Sequence, residues 1–339
     1  MSPTLPHAHG GPPLCGRLRV EPADFRVDEV LGFEPSGDGE HAFLEIEKTG
    51  ANTEWVARQL ARALELPPVA IGFCGLKDRH AVTRQAYTVH LGRRADPDWQ
   101  ALSIAGVHVL RATRHARKLK RGAHRGNRFV IRLRDIEGDR AQAQAVAAAI
   151  TTQGVPNYFG EQRFGHGEDN LAMARRLFAG ARLPRDQRGF ALSAARSALF
   201  NAVLAQRVSE CNWNRALEGE VWMLAGSHSV FGPEPLSVDL EQRLAGLDIH
   251  PTGPLWGRGA LRSSEAVHEL EMGVAAQWSE FAQGLEQAGL EQQRRSLRLL
   301  VRDLQIDWQD TSCTLAFSLE SGAFATVVLR ELCRSADEV

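Results

Sequence analysis

The sequence predicts an α+β protein whose first half carries a mixed, largely antiparallel sheet, and three observations point there. Short apolar or alternating runs crowd the first 134 residues, among them HAFLEIEK, VAIGFC, AYTVHL and RFVIRLR. Past Gly154 the spacing of apolar residues turns helical. Strand character then returns at CTLAFSL, close to the C-terminal end.

The opening stretch MSPTLPHAHGGPPLCG is rich in Pro, Gly and His and has no apolar signal core, so residues 1–16 read as a flexible lead-in. FRVDEVLGFE and HAFLEIEK read as paired strands flanking the turn-like EPSGDGE. In the second run Ala42, Leu44 and Ile46 alternate with Phe43, Glu45 and Glu47, the pattern of a half-buried strand. Asn52 or Thr53 suits the cap of a helix presenting Val56, Leu60, Ala63 and Leu64 on one face, closed by Pro67-Pro68. VAIGFC, residues 69–74, is short and almost wholly apolar, as a buried strand would be. AYTVHL, VHVLRA and RFVIRLR supply further strands. An Ala-rich helix follows over about 138–152, with Val146 and Ile150 on one face and Gly154 as its stop.

PNYFGEQRFGHGED is a polar, glycine-punctuated loop, and helices are expected beyond it. In SAARSALFNAVLAQRV, Phe200, Leu204 and Val208 recur at helical spacing as a core-facing stripe. Loops rich in Gly and Pro are expected at 225–235 and 249–259, and helical patterns resume to about residue 298. CTLAFSL then reads as a strand and GAFATVVLREL as a helix.

With 339 residues, 43% of them hydrophobic, the chain can build two domains with cores of their own. No run approaches the ~18 apolar residues that a membrane span needs. Cys15, Cys74, Cys211, Cys313 and Cys333 are scattered and form no Cys-x-x-Cys pair, so neither a disulfide framework nor a zinc knuckle is indicated and a cytoplasmic protein is expected. Nothing marks an obligate oligomer seam, so the chain reads as a monomer with no obligate protein partner.

The net charge of -1 conceals an asymmetry. RATRHARKLKRGAHRGNRFVIRLR, from Arg111 to Arg134, holds ten Lys/Arg and no acidic residue, which leaves 30 basic against 41 acidic residues elsewhere. Such a stripe on an acidic body steers a polyanion to one place, with Arg117, Lys118, Lys120, Arg121 and Arg125 as candidate contacts to a nucleic-acid backbone. A solvated basic hairpin is the plainer alternative. Within the stripe, RGNRFVIRLR sets Asn127 and Phe129 among cations, which suits a base stacked beside a neutralised backbone. Phe129 also alternates with Ile131 and Leu133, so packing into the sheet accounts for it equally well.

GFCGLKDRHAVTRQ, residues 72–85, is the most unusual stretch. One carboxylate, Asp78, stands with Lys77, Arg79 and His80 just beyond a buried strand. Cationic neighbours favour the carboxylate form, which can serve as a nucleophile or a general base. They disfavour a divalent metal, and Asp78 is the one acidic residue between Glu65 and Asp96. A surface turn with a loose ion pair is the alternative. His166 with Glu168, and His268 with Glu269, lack the partners of a metal site. No Gly-x-Gly-x-x-Gly, Walker A loop or Gly-x-Ser-x-Gly elbow is present, which argues against a nucleotide cofactor or a hydrolase elbow.

PADFRVDEVLGFEPSGDGEH, NTEWVA, GLKDRHAVTRQ, HARKLKRGAHRGNRF, GVPNYFGEQRFG, LSAARSALFN and SGAFATVVLRE together resemble the TruD family of tRNA pseudouridine synthases, which isomerise uridine 13 of tRNA. The resemblance runs from about residue 17 to 332 and is thin across about 210–300. It implies a V-shaped protein. A pseudouridine synthase domain would form from 17–153 and 300–339, with a mainly helical α/β TRUD domain inserted at 154–299. It implies Asp78 as the catalytic aspartate and Arg19 as its ion-pair partner, where lysine is the familiar residue; arginine keeps the charge and changes its geometry. Phe25, Asn127, Phe129 and Phe324 match positions lining the uracil pocket, with Lys77 beside it or facing a phosphate. No metal and no cofactor are implied, since isomerisation transfers no external group. A tRNA-binding protein without catalysis would need the stripe but not Asp78, and a metal-dependent nuclease would need an acidic cluster.

Overall fold

The computed structural model describes residues 5–165 and 169–336; His166 and Glu168 lie outside them. In chain order the elements are β1 (Leu14–Leu18), β2 (Phe25–Val30), β3 (His41–Lys48), α1 (Thr53–Ala63), β4 (Ile71–Phe73), β5 (Val82–His90), β6 (Val107–His115), β7 (Gly126–Gly138) and α2 (Arg140–Gln153). Then come β8 (Val155–Pro156), α3 (Asp169–Phe178), α4 (Arg185–Ser209), β9 (Trp222–Leu224), β10 (Val230–Phe231), α5 (Val238–Ala245), β11 (Ile249–Leu255), α6 (Glu265–Gln277), α7 (Ser279–Gln287), β12 (Gln293–Ser296) and β13 (Arg298–Leu299). The chain closes with β14 (Arg302–Trp308), β15 (Ser312–Glu320), α8 (Thr326–Leu332) and β16 (Cys333–Ser335).

The chain divides into two compact units. Among the described residues, one comprises 13–147, 301–325 and 333–336; the other comprises 5–12, 148–165, 169–300 and 326–332. The first is built on a mixed sheet of order β14-β15-β7-β2-β5-β3-β6, with β1 and β16 joined at β7 and β4 joined to β5. Most pairings are antiparallel; β2 with β5 and β1 with β16 run parallel. The expected hairpin of FRVDEV with HAFLEIEK does not form. The ten residues between β2 and β3 are long enough for β5 to lie between them, pairing Val27 with Thr83 on one side and Leu44 with Tyr87 on the other.

β3 is half-buried as expected, with Glu45 and Glu47 partly exposed, except that Phe43 on their face is also buried. Ala42, Leu44 and Ile46 pack with Val56 and Leu60 of α1 and with Tyr87 and Val89. Phe43, on the opposite face, packs with Cys74, Ala86 and Leu119. Each buried Val, Leu, Ile or Phe among them contributes roughly 1.5–3 kcal/mol of burial. The buried stripe of α1 is Val56, Ala57, Leu60 and Ala61, with Leu64 partly buried against the same core; Ala63 is exposed, because the buried face turns toward Ala57 and Ala61. Asn52 caps α1 by position without a side-chain bond.

In the second unit α4 buries a broad face that includes Ala194, Ala198, Phe200 and Leu204, and it packs against α3, α7 and β11. The expected loop at 249–259 is largely the strand β11, IHPTGPL, which pairs with β9 and β12. Its prolines hid it from a propensity reading. Helix ends at Gln287, short of the expected 298, and β12 and β13 follow. α2 stops at Gly154 in a left-handed conformation, φ 77°.

Residues 5–16, whose composition suggests a flexible lead-in, are tied down. The carbonyls of Leu5 and Pro6 accept from Arg330, the amides of Ala8 and His9 donate to Glu331, and β1 begins at Leu14. Those partners lie more than 300 residues away in sequence, beyond the reach of local composition.

Candidate active site

Asp78 sits in the loop between β4 and β5, within the first unit, and that loop is pinned at several points. The Asp78 carboxylate accepts from the His80 amide at 2.9 Å, closing a tight side-chain turn. Thr53, at the start of α1, spends its hydroxyl on tertiary contacts: it accepts from the Lys77 amide at 2.9 Å and donates to Gln85 at 2.8 Å. Gln85 in turn donates to the Gly75 carbonyl at 3.1 Å. Lys48 is wholly buried, and its ammonium donates to the carbonyls of Ala51 at 2.8 Å and Asp78 at 3.0 Å, with Lys77's carbonyl at 3.5 Å. Burial pushes the Lys48 ammonium from 10.5 down to about 8; the charge of Asp78 opposes that fall and Lys77 adds to it.

Two ion pairs of different character flank the loop. Arg19 Nη1 lies 3.1 Å from Asp78 Oδ2, with 34% and 29% of the two side chains exposed. Lys77 Nζ lies 2.7 Å from Glu29 Oε1, with 4% and 1% exposed. The other Glu29 oxygen accepts from the Ala86 amide at 3.1 Å. The Lys77 charge is buried and met by Glu29, a contact that ties the loop to β2.

Arg19 carries the site onward to the aromatic residues. Its guanidinium carbon stands 4.4 Å from the Phe25 ring centroid, a cation–π contact. Phe25 meets Phe129 edge-on at 6.3 Å, and Phe129 stacks on Phe317 at 5.4 Å. Strand register explains the grouping. Val27 pairs with Phe129 and Glu29 with Asn127, while Phe317 and Leu319 of β15 pair with the same two β7 residues. Phe25, Val27 and Glu29 share one face of β2 by the period of two, as Asn127 and Phe129 do on β7. Phe25 and Phe129 are buried, so Phe129 fills the sheet face as well as bordering the site. Asn127 is buried too, and its Oδ1 has no hydrogen-bond donor among the described residues.

The remaining candidates are more dispersed. Phe324 is exposed in the segment after β15 and makes no ring contact with this cluster among the described residues. Arg117, Lys120 and Arg125 are exposed and form no ion pair among the described residues. Lys118 donates to the Val69 carbonyl, and Arg121 pairs with Glu54 and lies over Phe73, so these two are engaged within the protein.

The residues that sequence reasoning passed over are Lys48, Glu29, Phe317 and His124. His124 is buried beside Lys77, with Ser321 at its Nε2 at 3.1 Å, and burial followed by the Lys77 charge lowers its pKa. Cys74 is no rival nucleophile, since burial pushes its thiol up to about 12. Among the described residues no three of His, Cys, Asp or Glu converge as metal ligands, and no helix is long and apolar enough to cross a membrane.

A partly exposed aspartate paired with an arginine thus stands on an α+β sheet that also carries buried aromatics and an amide oxygen without a donor. The family model for tRNA pseudouridine synthase D (TruD) matches residues 6–174 and 177–332. The chain is 54% identical to the tRNA pseudouridine synthase D of Methylococcus capsulatus, covering 97% of this chain and 94% of the relative. It is 48% identical to that of Xanthomonas axonopodis pv. citri, covering 98% and 95%. The crystal structure of TruD from Methanosarcina mazei superimposes with a TM-score of 0.75 at 23% identity, over 96% of this chain and 95% of the other, and shows the shared fold. The chain belongs to the TruD family.

Proposed function

We propose that this protein is a tRNA pseudouridine synthase that isomerises uridine 13, with Asp78 acting on a uridine flipped out of its stack. The reading is supported above all by the Arg19–Asp78 pair, which sits over the Phe25 ring at the edge of the Phe25–Phe129–Phe317 cluster. The names of the relatives point the same way.

The reaction breaks the N1–C1′ bond, turns the detached uracil and joins C5 to C1′; the C5 hydrogen leaves as a proton, so nothing is oxidised or reduced. Asp78 supplies the carboxylate at the sugar–base junction, as a nucleophile on sugar or uracil or as the base that removes a C2′ proton. Arg19 pairs with that carboxylate until the uridine takes its place. Asn127, with an acceptor left open in a buried position, takes the uracil N3–H. Extruding the base costs roughly a few kcal/mol, and the apolar surroundings offset part of it. The exposed Arg117, Lys120 and Arg125 neutralise backbone phosphates.

The test is tritium release from tRNA labelled at C5 of uridine, for the parent and for Asp78→Asn, with no added metal or cofactor. Release by the parent and none by a folded, tRNA-binding Asp78→Asn is the expected outcome. Tight tRNA binding by the parent without release would replace the isomerase with a binding protein. Release confined to another uridine would overturn the assignment to position 13.

A further inference from the structure

The second unit, taken by itself, holds a pair of cations that its own residues leave without an anion. After β8 the backbone of Phe159 is clamped by Asn201, whose Oδ1 accepts the Phe159 N–H at 2.9 Å and whose Nδ2 donates to the Phe159 carbonyl at 2.9 Å. Over the ring thus fixed lie two guanidinium groups. The Arg295 carbon, from β12, is 4.3 Å from the centroid, and the Arg163 carbon is 5.3 Å from it. Their polar partners are neutral: Arg163 donates to Ser193 Oγ at 3.0 Å and Arg295 to Asn157 Oδ1 at 2.6 Å. Neither is paired with a carboxylate among the described residues, and Arg295 Nε is buried without an acceptor.

Elsewhere in the unit Arg207 is paired with Glu220 at 3.0 Å and Arg294 with Glu271 at 2.7 Å, all four side chains nearly inaccessible, while Arg298 is held by three neutral acceptors, the His250 ring and the carbonyls of Leu244 and Ile249. Arg163 and Arg295 differ from all of these in placing two guanidinium groups over one ring. A buried charge without a partner is costly, and two like charges on one ring add to the cost. Burial, and secondarily the charge of Arg163, lower the Arg295 pKa to about 10, which still leaves it cationic at neutral pH. A methionine would fill the place of Arg295 between Phe159 and Phe200 without that penalty. The arrangement is stable in use when an anion completes it, and two guanidinium forks on a rigid support match the oxygens of a phosphate.

We propose that Arg163 and Arg295, seated on Phe159, form a phosphate site that takes one backbone phosphodiester of the RNA substrate. The proposal rests on the RNA-modifying reading above and adds a contact outside the Asp78 unit. Free phosphate presents the same oxygens, so the test separates the two sources.

The experiment measures tRNA affinity against salt concentration for the full-length parent, Arg295→Met, Arg163→Met and Arg295→Lys. Thermal melting with and without inorganic phosphate is followed in parallel. Each methionine variant should bind roughly tenfold more weakly at low salt. Each should also flatten the slope of log affinity against log salt, by up to about 0.9, the share of the one phosphate the pair holds. Arg295→Lys should keep the slope and lose part of the affinity, since charge remains but the fork is gone. Weaker binding at an unchanged slope, or unchanged binding, would overturn the proposal. So would phosphate raising the melting point of the parent but not of Arg295→Met while the tRNA slopes coincide, which would mark a site for a free anion. If Arg295→Met does not fold, Arg163→Met carries the same decision. A parent that binds no tRNA would instead sink the functional reading itself.

Discussion

Lys48→Met tests whether the loop bearing Asp78 depends on a buried charge. The ammonium donates to two carbonyls at 3.0 Å or less, one of them that of Asp78 itself. Hydrogen bonds to a charged group contribute roughly 1.5–3 kcal/mol each. Against them stands the cost of burying the charge: the fall from 10.5 to about 8 corresponds to about 3 kcal/mol. The two nearly offset, so Lys48→Met should change stability at pH 7 by no more than about 2 kcal/mol. Catalysis should suffer more, because a misplacement of about 1 Å in a reacting group costs roughly a hundredfold. The pH dependence separates these effects. The folded-state pKa lies below the unfolded one, so below about pH 8 the native protein bears the full burial cost. Between about 8 and 10.5 the native state releases the proton while the unfolded chain keeps it, and the parent gains stability relative to Lys48→Met. Over the lower part of that window the parent's isomerisation rate should fall, as the charge that orders the loop is lost. Single-turnover tritium release from pH 6 to 9.5, beside urea melts at the same pH values, makes the comparison. A parent rate flat through pH 9.5, with Lys48→Met inside threefold of it at pH 7, would refute the reasoning.

Two further outcomes are expected. Arg19→Lys keeps a cation near Asp78 but loses the planar contact with Phe25, and should cost no more than roughly tenfold in rate, whereas Arg19→Met should cost roughly a hundredfold; equal rates for the two would show that the charge is irrelevant. Reversing Arg117, Lys120 and Arg125 to Glu should weaken tRNA binding and flatten its salt dependence by roughly 3, while reversing Lys118 and Arg121, which are engaged with Val69 and Glu54, should act mainly on stability. Filter binding across a salt series reads both, and an unchanged slope in the triple variant would take the stripe out of the RNA path.

Strands were legible in the sequence where one face is apolar, and the residues around Asp78 stood out because cations crowd a single acid. Pairing was less legible: β5 enters between β2 and β3 from forty residues downstream, and no local pattern encodes that choice. β11 was hidden by its own Pro and Gly. The signal for Glu29 and Lys48 was present but easy to discount. The period of two puts Glu29 on the face of Phe25 and Val27, and Lys48 on the face of Leu44 and Ile46. A charge at the end of a core-facing series looks like a strand emerging into solvent. Here both charges stay buried, each satisfied by the loop after β4. Arg163 and Arg295 had no such signal, because what marks them is that two cations share the Phe159 ring without a carboxylate, which only the tertiary structure can reveal.

The charges around Asp78 divide by burial, and the division fits turnover. Lys77 with Glu29, and Lys48 with its carbonyls, are shut away from water, where breaking a pair leaves an uncompensated charge and costs several kcal/mol. They make the loop rigid. The Arg19–Asp78 pair is about a third exposed, in the range where water takes up either partner at little cost. Arg19 adopts a left-handed backbone conformation, φ 57°, unusual for a residue with a side chain, and this turn sets its guanidinium over Phe25. If Asp78 acts on uridine as proposed, the substrate can displace Arg19 from it without loosening the loop that carries the carboxylate. Exchange of the two roles would fail on both counts: an exposed pair would let the loop drift, and a buried one would hold the carboxylate away from its substrate.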